Sequence, residues 1–295
     1  MSQYKILITG KNSHIGNKIQ TWLEHNNEDV FNVVQLDVVT DEWKTFDFHG
    51  FDTVIHVAAI VHQPQCKDWN LYKRVNTNLP INIAKKAREE GVKKFIFFST
   101  MAVFGIGKVL TEEAINHETI PNPQDMYGKS KYMAEKELER LCTESFKVII
   151  VRPPNVYGEN GARGYIITFA NIIKRFPVIP LAFENVKQSM IYIDNLTELI
   201  RLLILKGGDG LYMPQDKEPV STVYLISTIA DALGKKIIKS VILGRLVKLF
   251  SFIPIINKAY GGVAYDVSLS SFHDMSYVVV PFEEGIKRCF KDISD

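Results

Sequence analysis

The feature that most constrains this chain is a repeated change of hydrophobic period between residues 4 and 152. Short apolar, β-branched runs alternate there with stretches of helical spacing. Lys5–Thr9, Val30–Leu36, Thr53–Ala58, Lys94–Ser99 and Lys147–Arg152 read as strands. Gly16–Glu24, Leu79–Glu90 and Lys129–Thr143 read as helices between them, with Gly91 stopping the second. Runs that are apolar at every position belong to strands buried on both faces, and helices of this length serve as crossovers. The pattern predicts an α/β fold with a doubly wound parallel sheet.

After Pro153-Pro154 the pattern changes. Glycines and prolines cluster at Gly158, Gly161, Gly164, Pro177 and Pro180, and strands become isolated. The expected organisation is a first domain over 1–154 and a smaller lobe over 155–295. A helix near 195–205, with Asp194 as N-cap, is expected to return to the first domain. A further helix is expected over Thr222–Leu233, capped by Ser221 and stopped by Gly234. Val241–Ile256 is the most membrane-like stretch, but Arg245, Lys248 and Pro254 interrupt it. A spanning helix needs roughly 20 mostly apolar residues, so this stretch reads as a buried or interfacial helix and not an integral membrane segment. Net charge is only +2 and the basic residues are scattered, which argues against a nucleic-acid partner. Three widely spaced cysteines make no disulfide framework, and Ile6-Leu7-Ile8 is too short for a signal peptide core. A cytoplasmic, reducing location is expected.

Thr9-Gly10-Lys11-Asn12-Ser13-His14-Ile15-Gly16 joins the first strand to the first helix. Gly10 permits a tight turn, Gly16 permits close helix–strand packing, and free N–H groups around His14 and Ile15 can hold a pyrophosphate. Ser13 stands where a middle glycine usually allows close backbone approach. Asp37 ends the second strand, 21 residues beyond Gly16. That is close to the spacing of the carboxylate that grips an adenosine ribose. A carboxylate there repels a 2′-phosphate, so NAD is favoured over NADP. The first domain is accordingly expected to be of Rossmann type.

Tyr127 and Lys131 lie four residues apart at the start of a helix, which stacks them on one face. A free phenol has a pKa near 10, and a nearby ammonium would favour the phenolate. Tyr127 would then take the proton of a carbinol as hydride leaves the same carbon.

Several motifs resemble the NAD-dependent epimerase/dehydratase family of extended short-chain dehydrogenases/reductases. Phe98-Ser-Thr-Met-Ala-Val-Phe-Gly105 is similar to its Ser-Ser/Thr-x-x-Val-Tyr-Gly motif. The resemblance gives Thr100 a hydrogen bond to the reacting oxygen and puts Ser99 beside the cofactor. Asp52–Ala59 resembles the strand passing under the cofactor, with Ala58 and Ala59 small enough to admit it. Val75-Asn76 resembles a structural, cofactor-proximal asparagine. Val151-Arg-Pro-Pro-Asn-Val-Tyr-Gly158 is similar to the segment near nicotinamide and sugar, with Pro154 toward the cofactor and Asn155 toward the substrate. Ser189–Leu196 and Val280–Ile286 resemble second-lobe signatures. Three departures are visible: Ser13, Phe104 in place of a tyrosine, and Gln188 where many members carry an arginine for the diphosphate. Arg163 or Lys187 would then take that charge's place.

The resemblance implies a nucleotide-sugar substrate and a homodimer. Met101-Ala102 follows the reactive threonine where dehydratases have Asp-Glu, so a 4,6-dehydratase is not expected. A 4-epimerase acting on a UDP-hexose is preferred. A 4-keto reductase making an N-acetylated deoxysugar for surface polysaccharide stays open, because both use Thr100, Tyr127 and Lys131. A non-catalytic nucleotide sensor is disfavoured because the tyrosine–lysine pair is kept. His56, His62 and Cys66 lack a fourth ligand, so no metal is expected.

Overall fold

The computed structural model describes residues 3–25, 30–61, 68–105, 107, 109–159, 164–273 and 275–291. In chain order the first elements are β1 (Gln3–Thr9), α1 (His14–His25), β2 (Val30–Leu36) and β3 (Thr53–His56). They are followed by α2 (Trp69–Tyr72), a π-helical stretch Lys73–Asn78, α3 (Leu79–Glu89), β4 (Lys94–Phe98), α4 (Met126–Glu139) and β5 (Lys147–Val151). Next come β6 (Asn155–Tyr157), α5 (Gly164–Arg175), β7 (Val178–Pro180), β8 (Lys187–Gln188), β9 (Met190–Tyr192) and α6 (Ile193–Lys206). The chain continues with β10 (Gly210–Tyr212), β11 (Val220–Ser221), α7 (Thr222–Ala232) and β12 (Ile238–Ser240). It ends with α8 (Val241–Leu249), α9 (Pro254–Tyr260) and α10 (Phe282–Arg288).

The chain divides into two compact units, the first made of residues 1–105, 120–153 and 197–213. Its six-stranded sheet has the order β2-β1-β3-β4-β5-β10, with every pairing parallel. The chain runs outward from β1 to β2 and then crosses back to β3 on the other side of β1. This makes the carboxyl ends of β1 and β3 the topological switch point, where sheets of this kind bind ligands. Ile6, Leu7 and Ile8 have no exposed surface, and all four residues of β3 are buried, as a sheet covered on both faces requires. Leu7, Val54, Phe95 and Phe97 share a core with Ala84 of α3 and Leu138 of α4.

Two boundaries differ from the sequence reading for identifiable reasons. The β3 ladder stops at His56, because Val57 and Ala58 both donate to the one carbonyl of Thr9 at 3.0 and 3.1 Å. Helix α4 begins at Met126, three residues early, because the Asp125 carboxylate caps it by accepting from Gly128 N at 2.6 Å.

The second unit comprises 106–119, 154–196 and 214–295. A single cut after residue 154 misses the excursion 106–119, in which Val109 bridges to Gly262 and Ile115 to Tyr265. Pairings this remote in sequence leave no local signal. Helix α6 passes from the second unit into the first after Leu196. Ser221 caps α7 by accepting from Tyr224 N at 3.2 Å, and Gly234 follows it in the left-handed region at φ 63°. Val241–Ile256 is not a buried helix: it forms the short helices α8 and α9, and within α8 only Gly244 is buried. No described helix is long and apolar enough to cross a membrane.

Candidate active site

The loop after β1 is shaped by backbone contacts. Gly10 has φ 123°, and a Cβ on it would lie 2.9 Å from Ala58 N, so only glycine lets these two segments touch. Gly10 N and Lys11 N donate to Leu36 O at 3.1 and 3.3 Å, tying the loop to the end of β2. Ser13 has a structural task that sequence reasoning missed: its Oγ accepts from Gly16 N at 3.1 Å and caps α1. A Cβ on Gly16 would come within 2.5 Å of that oxygen. His14 and Ile15 occupy the first turn of α1. Asp37 is exposed directly after β2, with Oδ1 accepting from Val39 N at 2.8 Å. The loop, the small Ala58 and Ala59 and an accessible carboxylate therefore converge at the switch point, an arrangement that fits a dinucleotide.

Thr100, Tyr127 and Lys131 come together in the same unit. Thr100 follows β4 and caps a 3-10 turn over Met101–Phe104, its Oγ1 accepting from Ala102 N at 3.1 Å. A Cβ on Gly128 would lie 2.6 Å from Ala102 O, so glycine there lets the start of α4 abut this turn. The result is a side-chain hydrogen bond between the hydroxyls of Tyr127 and Thr100. One turn on, Lys131 is buried, donates from Nζ to Phe98 O at 2.7 Å and lies 4.5 Å over the Phe97 ring.

The electrostatic balance differs from the sequence expectation. Burial pushes the Tyr127 phenol up to about 12; the Thr100 hydrogen bond lowers it, and Asp125 and Tyr72 raise it further. Lys131 is itself pushed down to about 7 by burial, partly offset by Glu135. Desolvation thus dominates the phenol, and the one opposing influence on it is the Thr100 hydroxyl.

Two residues that the resemblance places near the cofactor spend their side chains on the protein. Asn76 Nδ2 donates to Ile60 O at 2.9 Å and to Ser130 Oγ at 3.1 Å, while its Oδ1 accepts from Ile60 N at 2.9 Å. It pins the segment after Ala59 to α4. Ser99 Oγ donates to Glu135 Oε1. That carboxylate is fully buried and receives Arg152 twice, Nε at 3.0 Å and Nη2 at 2.6 Å. Arg152 in turn stacks 5.0 Å from the centre of the Phe104 ring, which is the use this chain makes of its phenylalanine. The Ser99–Glu135–Arg152 cluster was absent from the sequence reading, although Glu135 lies at i+4 from Lys131, the spacing that joined Tyr127 to Lys131. His56 is buried against Phe95 and Phe97, its Nδ1 2.7 Å from Thr9 Oγ1. Burial, with the charge of Lys131, pushes it down to about 3, so it is a neutral core residue at ordinary pH. His62 and Cys66 lie outside the described residues.

The remaining candidates belong to the second unit. Pro154 is buried, and Asn155 is exposed at the start of β6, which pairs in parallel with β9. Gln188 is buried on β8 opposite Val220, so its amide is not presented to solvent as a phosphate-binding group would be. Arg163 lies outside the described residues, and Lys187 is exposed. Asp216, which sequence reasoning did not single out, organises this unit. It accepts from Tyr157 Oη at 2.7 Å, Tyr192 N at 3.0 Å and Asn195 Nδ2 at 2.7 Å. Asn195 also holds the backbone of Val279 and Val280. Gly285 completes the packing, since a Cβ there would lie 2.9 Å from Tyr157 Oη and from the Tyr192 ring. These contacts explain the Tyr-Ile-Asp-Asn and Glu-Glu-Gly-Ile signatures as one interlock. A cavity of about 720 Å³, lined in part by Lys187, Tyr224, Val278 and Phe282, lies in this unit and contains none of the tyrosine–lysine chemistry.

The model of the NAD dependent epimerase/dehydratase family matches residues 6–211. The chain belongs to that family. NAD is the cofactor that membership carries, and the Gly10–Gly16 loop with Asp37 fits it. A UDP-glucose 4-epimerase of Vibrio cholerae is 35% identical over 196 residues, covering 62% of this chain and 57% of that protein. An N-acetyl-alpha-D-glucosaminyl-diphospho-ditrans,octacis-undecaprenol 4-epimerase of Escherichia coli O157:H7 is 30% identical over 193 residues, 64% of this chain and 56% of that protein. The matches thus span little more than half the length of these curated relatives. Among solved structures, UDP-glucuronic acid 4-epimerase from Bacillus cereus in complex with NAD superposes with a TM-score of 0.71, at 18% identity over 98% of both chains. A dTDP-4-dehydrorhamnose reductase from Clostridium acetobutylicum gives 0.73 at 20% identity, over 99% of this chain and all of that one. At such identities the likeness is one of fold.

Proposed function

We propose that this family member interconverts C4 epimers of a UDP-activated hexose through a 4-keto intermediate. The observation that carries the reading is the hydrogen-bonded Thr100–Tyr127 hydroxyl pair one helical turn before the buried Lys131. NAD, when bound, supplies the hydride acceptor and, in its oxidised form, a positively charged ring. Thr100 holds the C4 oxygen of the sugar, and Tyr127 takes the C4 hydroxyl proton as the carbinol is oxidised. Lys131, with its pKa near 7, keeps the phenol's environment able to exchange a proton at neutral pH. After the keto-sugar presents its other face, C4 would regain on that face the hydride it gave up, and Tyr127 returns the proton to the oxygen, so there is no net oxidation or reduction. Both curated relatives described above are named as 4-epimerases, which favours epimerisation over net reduction. Asp37 supports retention of NAD by offering an acceptor to a ribose hydroxyl and repelling a 2′-phosphate.

The test is product analysis by NMR after incubation with NAD and, in turn, UDP-glucose and UDP-N-acetylglucosamine. A polyprenyl-diphosphate N-acetylglucosamine is the third substrate, chosen because of the Escherichia coli relative's name. The expected result is a C4-inverted product without net change in NAD, with kcat lowered by about 10²–10⁴ in Tyr127→Phe. Stoichiometric NADPH consumption with a 4-keto sugar would replace this reading by the reductase. Tight nucleotide binding without turnover would replace it by a sensor.

A further inference from the structure

A helix on the surface of a globular protein normally buries its apolar stripe and exposes its polar one. Helix α8 leaves its apolar stripe in solvent along with Arg245 and Lys248. Its buried residue is Gly244, where a Cβ would fall 2.0 Å from Leu181 O, so this face is seated directly on backbone. Ile242, Leu246 and Leu249, spaced i, i+4 and i+7, fall on the opposite side at roughly 100° per residue. Ile242 is 74% and Leu249 68% exposed. The apolar surface continues past α8, with Phe252 at 75% and Ile255 at 70%. It extends along β12, whose exposed Ile238 pairs with Val178 of β7, and to Phe176, whose neighbour Pro177 accepts from Ile238 N at 2.8 Å. The segment is firmly held: Ser240 Oγ accepts from Leu243 N at 3.2 Å, and buried Tyr260 donates to Pro180 O at 3.2 Å.

Charge identifies the occupant. Residues 232–265 contain Lys235, Lys236, Lys239, Arg245, Lys248 and Lys258 and no aspartate or glutamate. Residues 160–183, which supply α5 and β7, are likewise free of acidic residues, and Lys174 and Arg175 immediately precede Phe176. The carboxylates bordering the two segments are Glu159, Glu184, Asp231 and Asp266. A second copy laid on this face by two-fold symmetry would set cations against cations. A helix of nine residues is about 14 Å long, too short to cross a hydrocarbon core of about 30 Å. Exposed isoleucine, leucine and phenylalanine flanked by lysine and arginine match a helix lying in the plane of an anionic lipid surface. We propose that α8, with the α8–α9 junction, docks this protein on the surface of a membrane containing anionic lipids. The inference does not depend on which sugar is turned over.

Co-sedimentation of the full chain with phosphatidylcholine vesicles, with and without phosphatidylglycerol, tests the proposal. Binding is expected to require phosphatidylglycerol and to weaken as salt is raised. It should fall by about tenfold or more in Ile242→Ser/Leu249→Ser and in Arg245→Gln/Lys248→Gln. Both variants alter exposed side chains, and an unchanged circular dichroism spectrum and melting temperature verify the fold. The proposal is overturned if the folded variants partition like the wild type, or if neutral vesicles bind equally well. It is also overturned if light scattering shows a dimer that Ile242→Ser/Leu249→Ser dissociates while vesicles bind nothing.

Discussion

Helices α4 and α8 misplace their side chains in opposite directions. Helix α4 buries charge: Lys131 and Glu135 are both inside, the second clamped by Arg152. Helix α8 exposes apolar surface and keeps only a glycine inside. Each departs from the ordinary partition of residues between core and surface, and each is costly by itself. The difference lies in what compensates. In α4 the cost is offset within the unit, by a bidentate ion pair and by a carbonyl that receives the lysine. In α8 nothing among the described residues covers the apolar stripe, so compensation has to come from outside the chain. On the readings proposed above, the buried charge serves proton transfer and the exposed apolar surface serves docking.

Substitutions of similar size in the two helices should therefore give very different responses. The largest is expected for Glu135→Ala, which leaves Arg152 buried without its partner and should cost about 3–5 kcal/mol of unfolding free energy by urea titration. Replacing both groups, Glu135→Leu with Arg152→Met, should cost clearly less than the single change. If the double variant is as unstable as the single, the cluster is not held by mutual neutralisation.

Lys131 sharpens the comparison through pH. Its folded pKa lies near 7, against an ordinary lysine value of 10.5. Below pH 7 both folded and unfolded states hold the proton, and the full cost of a buried charge is felt. Between pH 7 and 10.5 the unfolded chain holds more protons, so this residue's contribution to stability rises with pH. Wild type should gain stability relative to Lys131→Met across that window. A gap that stays constant would mean that the burial cost is not carried by the charge.

At the seat of α8, Gly244→Ala drives a methyl group into Leu181 O. It should cost about 1–3 kcal/mol in thermal or urea unfolding; no change would mean that α8 is loosely held. The N-caps are an internal control. Asp125→Ala in α4 and Ser240→Ala in α8 should each cost about 1 kcal/mol, because capping is local and indifferent to what a helix packs against. The smallest effect is expected for Ile242→Ser, within about 0.5 kcal/mol, since the side chain is already in solvent. A larger loss would show that it is buried in solution and would break the contrast with α4.

Much of the first unit was legible because its signals are local. Gly10, Gly16 and Asp37 are tied to one strand–turn–helix and the strand beside it, and Tyr127–Lys131 is a one-turn spacing. The family motifs likewise fall in order along the chain. What escaped notice joins distant residues. Ser99 meets Glu135 and Arg152, Asp216 meets Tyr157 and Asn195, and 106–119 pairs with 262–265.

The amino-acid sequence by itself determined the parallel sheet, the glycine turn at its switch point and the tyrosine–lysine helix. Hydrophobic period, glycine freedom and helical spacing act over a few residues, so they can be read without coordinates. Only the tertiary structure decided how those groups are tuned. It buried Lys131 and half-buried Tyr127, so that desolvation dominates their pKa values, committed Asn76 and Ser99 to scaffolding, and turned the apolar stripe of α8 outward. Burial is set by what the rest of the chain packs against a residue, and no local pattern encodes that.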